Sequence, residues 1–207
     1  MPYPAELALY IVICVLAGVL ILGLFLYHPL KRFFYRRHLV RSYYRKILRI
    51  AQDHDYYLIN NFKSKTADEE AFHIDHLLVG DKYIYCIRDR YYEGALSAKA
   101  SDPTWILYLR KGVKYIPNPM MRNQVRMEWL SLISGIEPSI FVSIVLINDD
   151  CYMAPFDNKA GDSFLVSLKM LPELIAMLES RDVPPLDPWE VERVVADFAS
   201  LKNAPER

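Results

Sequence analysis

Cysteine is scarce in this sequence, and its few copies are scattered. The 207 residues include three cysteines, at positions 14, 86 and 151, with no Cys-x-x-Cys spacing. An odd, unclustered set argues against a disulfide framework and against a zinc site, so reduced thiols on the cytosolic side of a membrane are expected. Internal repeats and low-complexity tracts are also missing, and 53% hydrophobic against 24% charged residues excludes wholesale disorder.

Acidic residues are missing from one long stretch, since none lies between Glu6 and Asp53. Residues 1–52 contain eight basic residues and one acid, whereas residues 53–207 contain 17 basic and 24 acidic residues. The formal net charge of zero therefore hides a basic segment and an acidic body. The negative body counts against broad nonspecific binding of nucleic acid, because like charges repel. The basic residues are Lys31, Arg32, Arg36, Arg37, Arg41, Arg45, Lys46 and Arg49.

Charge of either sign is missing from residues 7–27. At ~1.5 Å per residue this run spans about 31 Å, which matches the ~30 Å hydrocarbon core of a bilayer. A cleaved signal peptide would need a positive segment before the run, but the chain has MPYPAE there. Residues 1–30 are therefore predicted to be a single transmembrane anchor. The positive-inside bias predicts an N-terminus outside and a cytoplasmic C-terminal domain.

The segment that follows, residues 31–49, is called the basic collar, and it mixes cations with aromatic rings. Next to a membrane span, this composition favours contact with lipid, including anionic headgroups. Binding of nucleic acid, with phosphates on arginines and bases on rings, is the alternative. Residues 31–54 are predicted to be this collar running into a first helix, which ends near His54. Helical spacing predicts its apolar positions, Val40, Tyr44, Ile47, Leu48 and Ala51.

Residues 55–207 predict one α/β domain, a sandwich with a central mixed sheet flanked by helices. The nearly all-apolar run at residues 140–147 is typical of a central strand covered on both faces. Periodicity predicts strands at residues 56–62, 72–79, 82–90, 104–109, 113–116, 140–147 and 164–167, and helices at 118–133, 168–180 and 188–202. The predicted buried positions of the first of these helices are Val125, Trp129, Leu132 and Ile133.

Two predicted strands within residues 72–94 carry the charges that suggest a site. Asp75 lies on one strand, and Arg88 and Arg90 lie two apart on one face of the next. An acid facing charged side chains in this way is how a group of metal-dependent nucleases builds its site. Asp89 points to the opposite face, so it cannot join Asp75 without a one-residue slip that would turn every neighbour over.

Several segments together resemble the nuclease-related domain family, NERD. They are IDHLLVG at 74–80, YYEG at 91–94, NPMMRNQ at 118–124, and the C-terminal pair LVSLKMLPELIAML and LDPWEVERVVADF. The resemblance covers about residues 39–202. It implies a restriction-endonuclease-like fold, often with a transmembrane segment. It also implies a site made from an acid in the first helix, an Asp on the second strand and a Glu-x-Lys pair on the third.

Most of that site is substituted in this chain. Asp75 and His76 match the family pattern, but the Glu-x-Lys positions fall on Arg88 and Arg90. The first-helix acid belongs within residues 37–46, where the sequence has neither Asp nor Glu. Asn118, Pro119 and Asn123 match the loop before the second helix, while Arg122 stands in place of the expected glutamine.

These substitutions favour a membrane-anchored pseudoenzyme that acts as a binding or scaffold module without a cofactor. Arg88 is predicted to take the cation's place beside Asp75, with Arg88, Arg90 and Arg122 as candidates for binding a phosphate-containing ligand such as nucleic acid or a nucleotide. The alternative is an active nuclease that holds Mg or Mn with Asp75 and Glu93. A third possibility is a structural membrane protein whose acidic body recruits a protein partner.

Overall fold

The computed structural model describes residues 4–65, 71–154, 156 and 161–202, apart from the side chains of residues 4–7, 28, 29, 31–37, 201 and 202. The described helices are α1 (Pro4–His54), α2 (Pro119–Ser134), α3 (Leu171–Glu179) and α4 (Pro188–Lys202), with a short 3-10 helix at Pro138–Ile140. The strands are β1 (Tyr57–Lys65), β2 (Ala71–Val79), β3 (Ile84–Arg90), β4 (Ala95–Ser97), β5 (Thr104–Leu109), β6 (Gly112–Pro117), β7 (Phe141–Ile147), β8 (Tyr152–Met153) and β9 (Ser163–Ser167).

The chain divides into two compact units, Met1–Ser42 and Tyr43–Arg207. In the first unit, Ala8–Tyr27 is helical and long and apolar enough to cross a membrane, and none of it is buried. One helix, α1, continues from this span to His54, where an anchor and a first domain helix were predicted. Half of the eight basic residues of the predicted collar lie outside the described side chains, namely Lys31, Arg32, Arg36 and Arg37.

The last turns of α1, from Tyr43 onward, belong to the second unit and bury a face close to the predicted one. Ile47 and Ala51 are buried as predicted, and Tyr43 and Ile50 are buried with them. Val40 and Tyr44, which were predicted to belong to this face, are 62% and 40% exposed. The buried positions follow helical spacing, but the stripe begins three residues later than predicted.

A five-stranded mixed sheet with the order β1-β2-β3-β7-β9 forms the centre of the fold. β1, β2 and β3 are antiparallel neighbours, and β3, β7 and β9 run parallel. All seven residues of β7 are buried, which confirms the predicted central strand. The α/β fold class with helices flanking a mixed sheet is confirmed as well.

A second, four-stranded sheet has the order β6-β5-β4-β8. The predicted hairpin is present, with Trp105 opposite Ile116 and Tyr108 opposite Val113. β4 and β8, three and two residues long, were not predicted. One face of this sheet buries Leu96, Trp105, Leu107 and Ile116 in the core.

Most of the predicted buried face of α2 is wrong. Of its four residues, Trp129 is partly buried against the core, but Ile133 is 37% exposed. Val125 and Leu132 are 51% and 73% exposed, and the helix instead buries Asn123, Met127 and Leu130. The two faces differ by about two positions, which is ~200° around a helix with 3.6 residues per turn. A polar anchor sets this rotation. The Asn123 amide donates to the Cys86 carbonyl of β3 at 2.8 Å and to Ser143 Oγ of β7 at 2.9 Å.

Replacing Asn123 with alanine is expected to lower the free energy of unfolding by about 2–4 kcal/mol. The residue is fully buried, and its loss leaves the Cys86 carbonyl without its side-chain donor and opens a small void. Urea unfolding measures the change. Gln124→Ala is the matched control, since this neighbour on the same helix is exposed and should cost less than about 0.5 kcal/mol. Equal stability of the two variants would contradict the anchoring role.

Candidate functional site

The candidate site lies where β2 separates from β3. Their residue pairing ends at His76 opposite Ile87, one residue before Asp75 would pair with Arg88. On the other side of β2, Asn61 of β1 has a positive φ of 52° and falls at the gap in the pairing opposite Asp75. The pairing with both neighbouring strands is therefore interrupted at Asp75, and beyond the break the Asp89 backbone amide donates to the Asp75 carboxylate.

The Asp75 carboxylate joins β2 to β3 at this point. Its Oδ2 atom accepts a 2.9 Å hydrogen bond from the backbone amide of Asp89 and lies 3.4 Å from Arg88 Nε. Its Oδ1 atom lies 3.4 Å from Arg88 Nη1. The guanidinium thus faces both carboxylate oxygens, as the alternation of the two strands predicts. At 3.4 Å these contacts are longer than a tight bidentate pair.

Arg88 makes shorter contacts with His73 than with Asp75. Its Nη1 atom donates to the His73 carbonyl at 2.7 Å and to His73 Nδ1 at 2.9 Å. Nδ1 must therefore accept, which places the ring proton of a neutral imidazole on Nε2. Burial lowers the pKa of His73, Asp75 raises it and Arg88 lowers it, with burial the largest cause. The Arg88 side chain is 15% exposed, so the guanidinium is largely enclosed by these partners.

Asp89 faces the other side of the sheet, as predicted, and takes part in a second polar network. Its Oδ2 atom lies 3.0 Å from His76 Nε2, and His76 Nδ1 lies 2.5 Å from Asn60 Oδ1. The His76 ring therefore links the side chains of Asn60 and Asp89 across the sheet. Burial raises the pKa of Asp89 and the hydrogen bond to His76 lowers it. The alternation of His73, Asp75 and His76 along β2 was the available signal for this network.

Arg126 of α2 interacts electrostatically with Asp75 of β2 and with two arginines of β3. Burial lowers the pKa of Arg126, and the positive charges of Arg88, Arg90 and Arg122 lower it further. The negative charge of Asp75 raises it. Arg126 follows Arg122 by one helical turn, so both lie on one face of α2. Arg126 therefore interacts electrostatically with the guanidinium groups of Arg88, Arg90 and Arg122. These four residues, Arg88, Arg90, Arg122 and Arg126, are called the arginine cluster.

Arg126 was not predicted, although its spacing of four residues from Arg122 was a signal for it. Arg126 is partly buried and its Nη1 atom donates weakly to the Arg122 carbonyl at 3.4 Å, whereas Arg122 is exposed. Arg90 is partly buried as well, and its Nη1 atom donates to the Asp89 carbonyl at 2.8 Å. Electrostatic interactions with Arg126 thus link the three predicted anion-binding candidates to a fourth arginine.

Replacing Arg126 with methionine is expected to raise the free energy of unfolding by about 0.5 kcal/mol in the absence of added anions. The change removes one of four like charges and keeps an apolar stem of similar length. Urea unfolding at low and high salt measures it, and the gain should shrink at high salt because ions screen the repulsion. Arg49→Met, at an exposed position on α1, is the control and should have no such salt dependence.

The residues around Asp75 do not fit a divalent cation. Both Asp75 oxygens face Arg88, and the Asp89 carboxylate points to the other side of the sheet. Glu93 is exposed and follows the end of β3. Within the described ranges, no group of three or more His, Cys, Asp or Glu residues could hold a metal ion. Where the resemblance implies a first-helix acid, Tyr43 of α1 donates its hydroxyl to the Arg90 carbonyl at 3.0 Å.

The loop before α2 has a structural role. Asn118 is the N-cap of this helix and accepts from the Met120 amide at 2.8 Å. Its own amide donates to the carbonyls of Ala100 and Asp102, which fixes the connection between β4 and β5. Among the motif residues at 118–124, Asn118 and Asn123 therefore position α2. Arg122 belongs to the arginine cluster.

The family model described as the nuclease-related domain, NERD, matches residues 39–147. The chain is also similar to the crystal structure of the protein of unknown function AF1548, with 11% sequence identity and a TM-score of 0.36. That similarity covers 79% of this chain and 100% of the other. No curated protein matches the chain.

Proposed function

The chain belongs to the nuclease-related domain family, and from that premise we propose that it is a membrane-anchored member that binds a phosphate-containing ligand without cleaving it. The observation that carries this proposal is the position of Arg88, whose guanidinium faces both oxygens of Asp75. Metal-dependent hydrolysis needs a cation at a carboxylate and a water that the cation activates. A guanidinium in that position neutralises the carboxylate and activates no water.

The arginine cluster supplies the chemistry for binding. A guanidinium presents several N–H donors in a plane, which match the oxygens of a phosphate, and it keeps its charge at every physiological pH. Of these four groups, Arg88 is paired directly with the Asp75 carboxylate. Burial is the largest cause of the lowered pKa of Arg126, and the positive charges of Arg88, Arg90 and Arg122 lower it further, so these groups repel one another. A bound anion would relieve this repulsion, which favours a phosphate over a neutral ligand.

Within the cluster the roles differ by position. Arg88 is held by Asp75 and His73, and Arg90 by the Asp89 carbonyl, so these two supply fixed charge. Arg122 is exposed and Arg126 partly so, which leaves them able to approach a ligand. The ligand class is a nucleotide or a nucleic-acid phosphate. The acidic body favours a small or single phosphate contact over a long duplex.

The location of the domain follows from the anchor. The helical span Ala8–Tyr27 and the basic residues that follow it support an N-terminus outside and a cytoplasmic domain, with anionic headgroups near the collar. Arg41, Arg45 and Arg49 are the exposed basic side chains of the collar's described part. Each cation near an anionic leaflet contributes ~1 kcal/mol at close range.

Binding is tested with the full-length chain in detergent micelles. Calorimetry with inorganic phosphate and a nucleoside triphosphate, and fluorescence anisotropy with a labelled single-stranded oligonucleotide, should show affinity that falls as salt rises. Arg126→Ala is expected to weaken phosphate binding about tenfold, since a charge-assisted hydrogen bond contributes ~1.5–3 kcal/mol. Arg181→Ala, a partly exposed arginine distant in sequence, is the control. If no phosphate-containing probe binds, recruitment of a protein partner by the acidic body becomes the favoured function.

Cleavage is tested separately from binding. Plasmid and single-stranded DNA should remain intact after incubation with the chain and Mg or Mn. Cleavage that Asp75→Ala or Glu93→Ala abolishes would establish the alternative, an active nuclease with those two acids at a metal. Cleavage that survives both substitutions would point to a contaminating nuclease.

A further inference from the structure

The outer face of the four-stranded sheet is exposed and apolar. The inner face of β6-β5-β4-β8 packs on the core, yet Val113, Tyr108, Tyr115 and Tyr152 on the outer face are 51%, 47%, 70% and 74% exposed. Large apolar side chains scattered singly are normal on a surface, but a contiguous group marks an interaction site. Tyrosine is also enriched at protein interfaces, because its ring provides area and its hydroxyl tolerates water. This group is called the tyrosine face.

Strand register arranges the tyrosine face in two rows. Val113 pairs with Tyr108, Tyr108 with Ala95, and Ala95 with Tyr152, so these four cross the sheet side by side. The second row, one pleat further along the strands, holds Tyr115, Ile106 and Ser97. In both rows a large side chain on β5 lies next to a small one on β4.

Charged residues lie at the edge of the sheet just beyond the first row. Those next to β5 and β6 are positive, and those next to β4 and β8 are negative. Arg110 and Lys111 form the turn between β5 and β6, and both are exposed. Glu93 and Asp150 precede β4 and β8, and both are exposed as well. One half of this edge is therefore positive and the other half negative.

We propose that the tyrosine face is the interface of a symmetric dimer of this chain. A second copy related by a two-fold axis parallel to the strands would place β5 opposite the other copy's β4. Tyr108 would then lie over Ala95 of the second copy and Ile106 over its Ser97. Large residues meet small ones at each of these positions, which is how two sheet faces interdigitate. The same two-fold rotation places Tyr108 and Ile106 of the second copy over Ala95 and Ser97 of the first. Both copies therefore use the same surface, as an isologous interface requires.

The charged edge selects this arrangement. The two-fold axis brings Arg110 and Lys111 opposite Glu93 and Asp150 of the second copy, twice per dimer. An apolar centre with complementary charges at its rim is typical of protein interfaces and sets their register. The two cations and two acids of this edge cancel, so it offers a nucleic acid or an anionic bilayer no net electrostatic attraction.

The apolar contacts are tested by the oligomeric state of the full-length chain in detergent micelles. Sedimentation equilibrium should show a dimer. Tyr115→Ser combined with Tyr152→Ser should weaken dimerisation about tenfold or more, since buried tyrosines are common hot spots of interfaces. Tyr57→Ser is the matched control, because this tyrosine is 45% exposed on β1 of the other sheet and should leave the dimer intact.

The charged contacts are tested by exchange of sign. One variant combines Arg110→Glu with Lys111→Glu, and the other combines Glu93→Lys with Asp150→Lys. Each variant alone should dimerise at least tenfold more weakly than the wild-type chain, because like charges then meet at the rim. A mixture of the two should recover a heterodimer, seen as energy transfer between copies labelled with different dyes.

Three outcomes would overturn the proposal. A monomeric wild-type chain would exclude the dimer. A dimer that survives both the tyrosine and the charge variants would place self-association elsewhere, the membrane span included. Binding of a single-stranded oligonucleotide that Tyr115→Ser and Tyr152→Ser abolish, in a monomeric chain, would make the tyrosine face a base-stacking surface. None of these outcomes depends on the arginine cluster.

Discussion

Replacing Arg88 with alanine is expected to lower the free energy of unfolding by about 3 kcal/mol and to abolish phosphate binding. The guanidinium contacts Asp75 and both the carbonyl and the ring nitrogen of His73, and its side chain is only 15% exposed. Its loss leaves a carboxylate that is 21% exposed without its cation. Removing one partner of such a pair costs more than the pair itself contributes, because the remaining charge stays poorly solvated.

Urea unfolding and phosphate calorimetry measure the two effects of Arg88→Ala. A double-mutant cycle with Asp75→Ala separates the pair from its surroundings, and the double variant should be more stable than the sum of the single effects predicts. Arg88→Lys keeps the charge and loses the planar donors, so it should fall between wild type and alanine. If Arg88→Ala unfolds at the wild-type urea concentration, the pair does not stabilise the fold.

Removing residues 1–38, which include the predicted anchor at residues 1–30, is expected to convert a membrane protein into one that stays in solution. The full-length chain should sediment with membranes at high salt and be released only by detergent, because Ala8–Tyr27 would have to expose a bilayer-length apolar surface to water. Residues 39–207 should remain in the supernatant at every salt concentration. The test is the partition of both proteins between membrane pellet and supernatant.

A third protein controls for the collar in that experiment. Replacing Arg41, Arg45, Lys46 and Arg49 with glutamine, with the span intact, should leave the full-length chain in the pellet, since the apolar span alone is expected to hold it there. Sedimentation of residues 39–207 with membranes at high salt would contradict the prediction. It would mean that the remaining collar or the body inserts by itself.

The sequence was most informative where one physical effect dominates. The all-apolar run of β7 is buried on both faces, so its composition alone indicated a central strand. The alternation of side chains along β2 and β3 placed Asp75 beside Arg88 and Asp89 on the opposite side. Family resemblance added the restriction-endonuclease-like fold to the elements that periodicity had already predicted over residues 56–202.

Prediction failed where a tertiary contact outweighs local pattern. The apolar residues of α2 suggested one buried face, but the Asn123 amide reaches the carbonyl of Cys86 and turns that face outward. β4 and β8 are too short to show a period. Arg126 and the network of Asn60, His76 and Asp89 depend on which elements meet in space, and only their spacing along the chain was visible beforehand.

The contacts of Arg88 also limit how this domain can evolve. A single Arg88→Glu change would set two carboxylates side by side at Asp75 and leave the His73 carbonyl without its donor. Arg90→Lys alone would leave the Asp75 ion pair unchanged. Every path back to a Glu-x-Lys pair must include the Arg88→Glu change, and that step passes through a less stable protein. Selection for folding alone is enough to preserve the present site, whether or not its ligand remains the same.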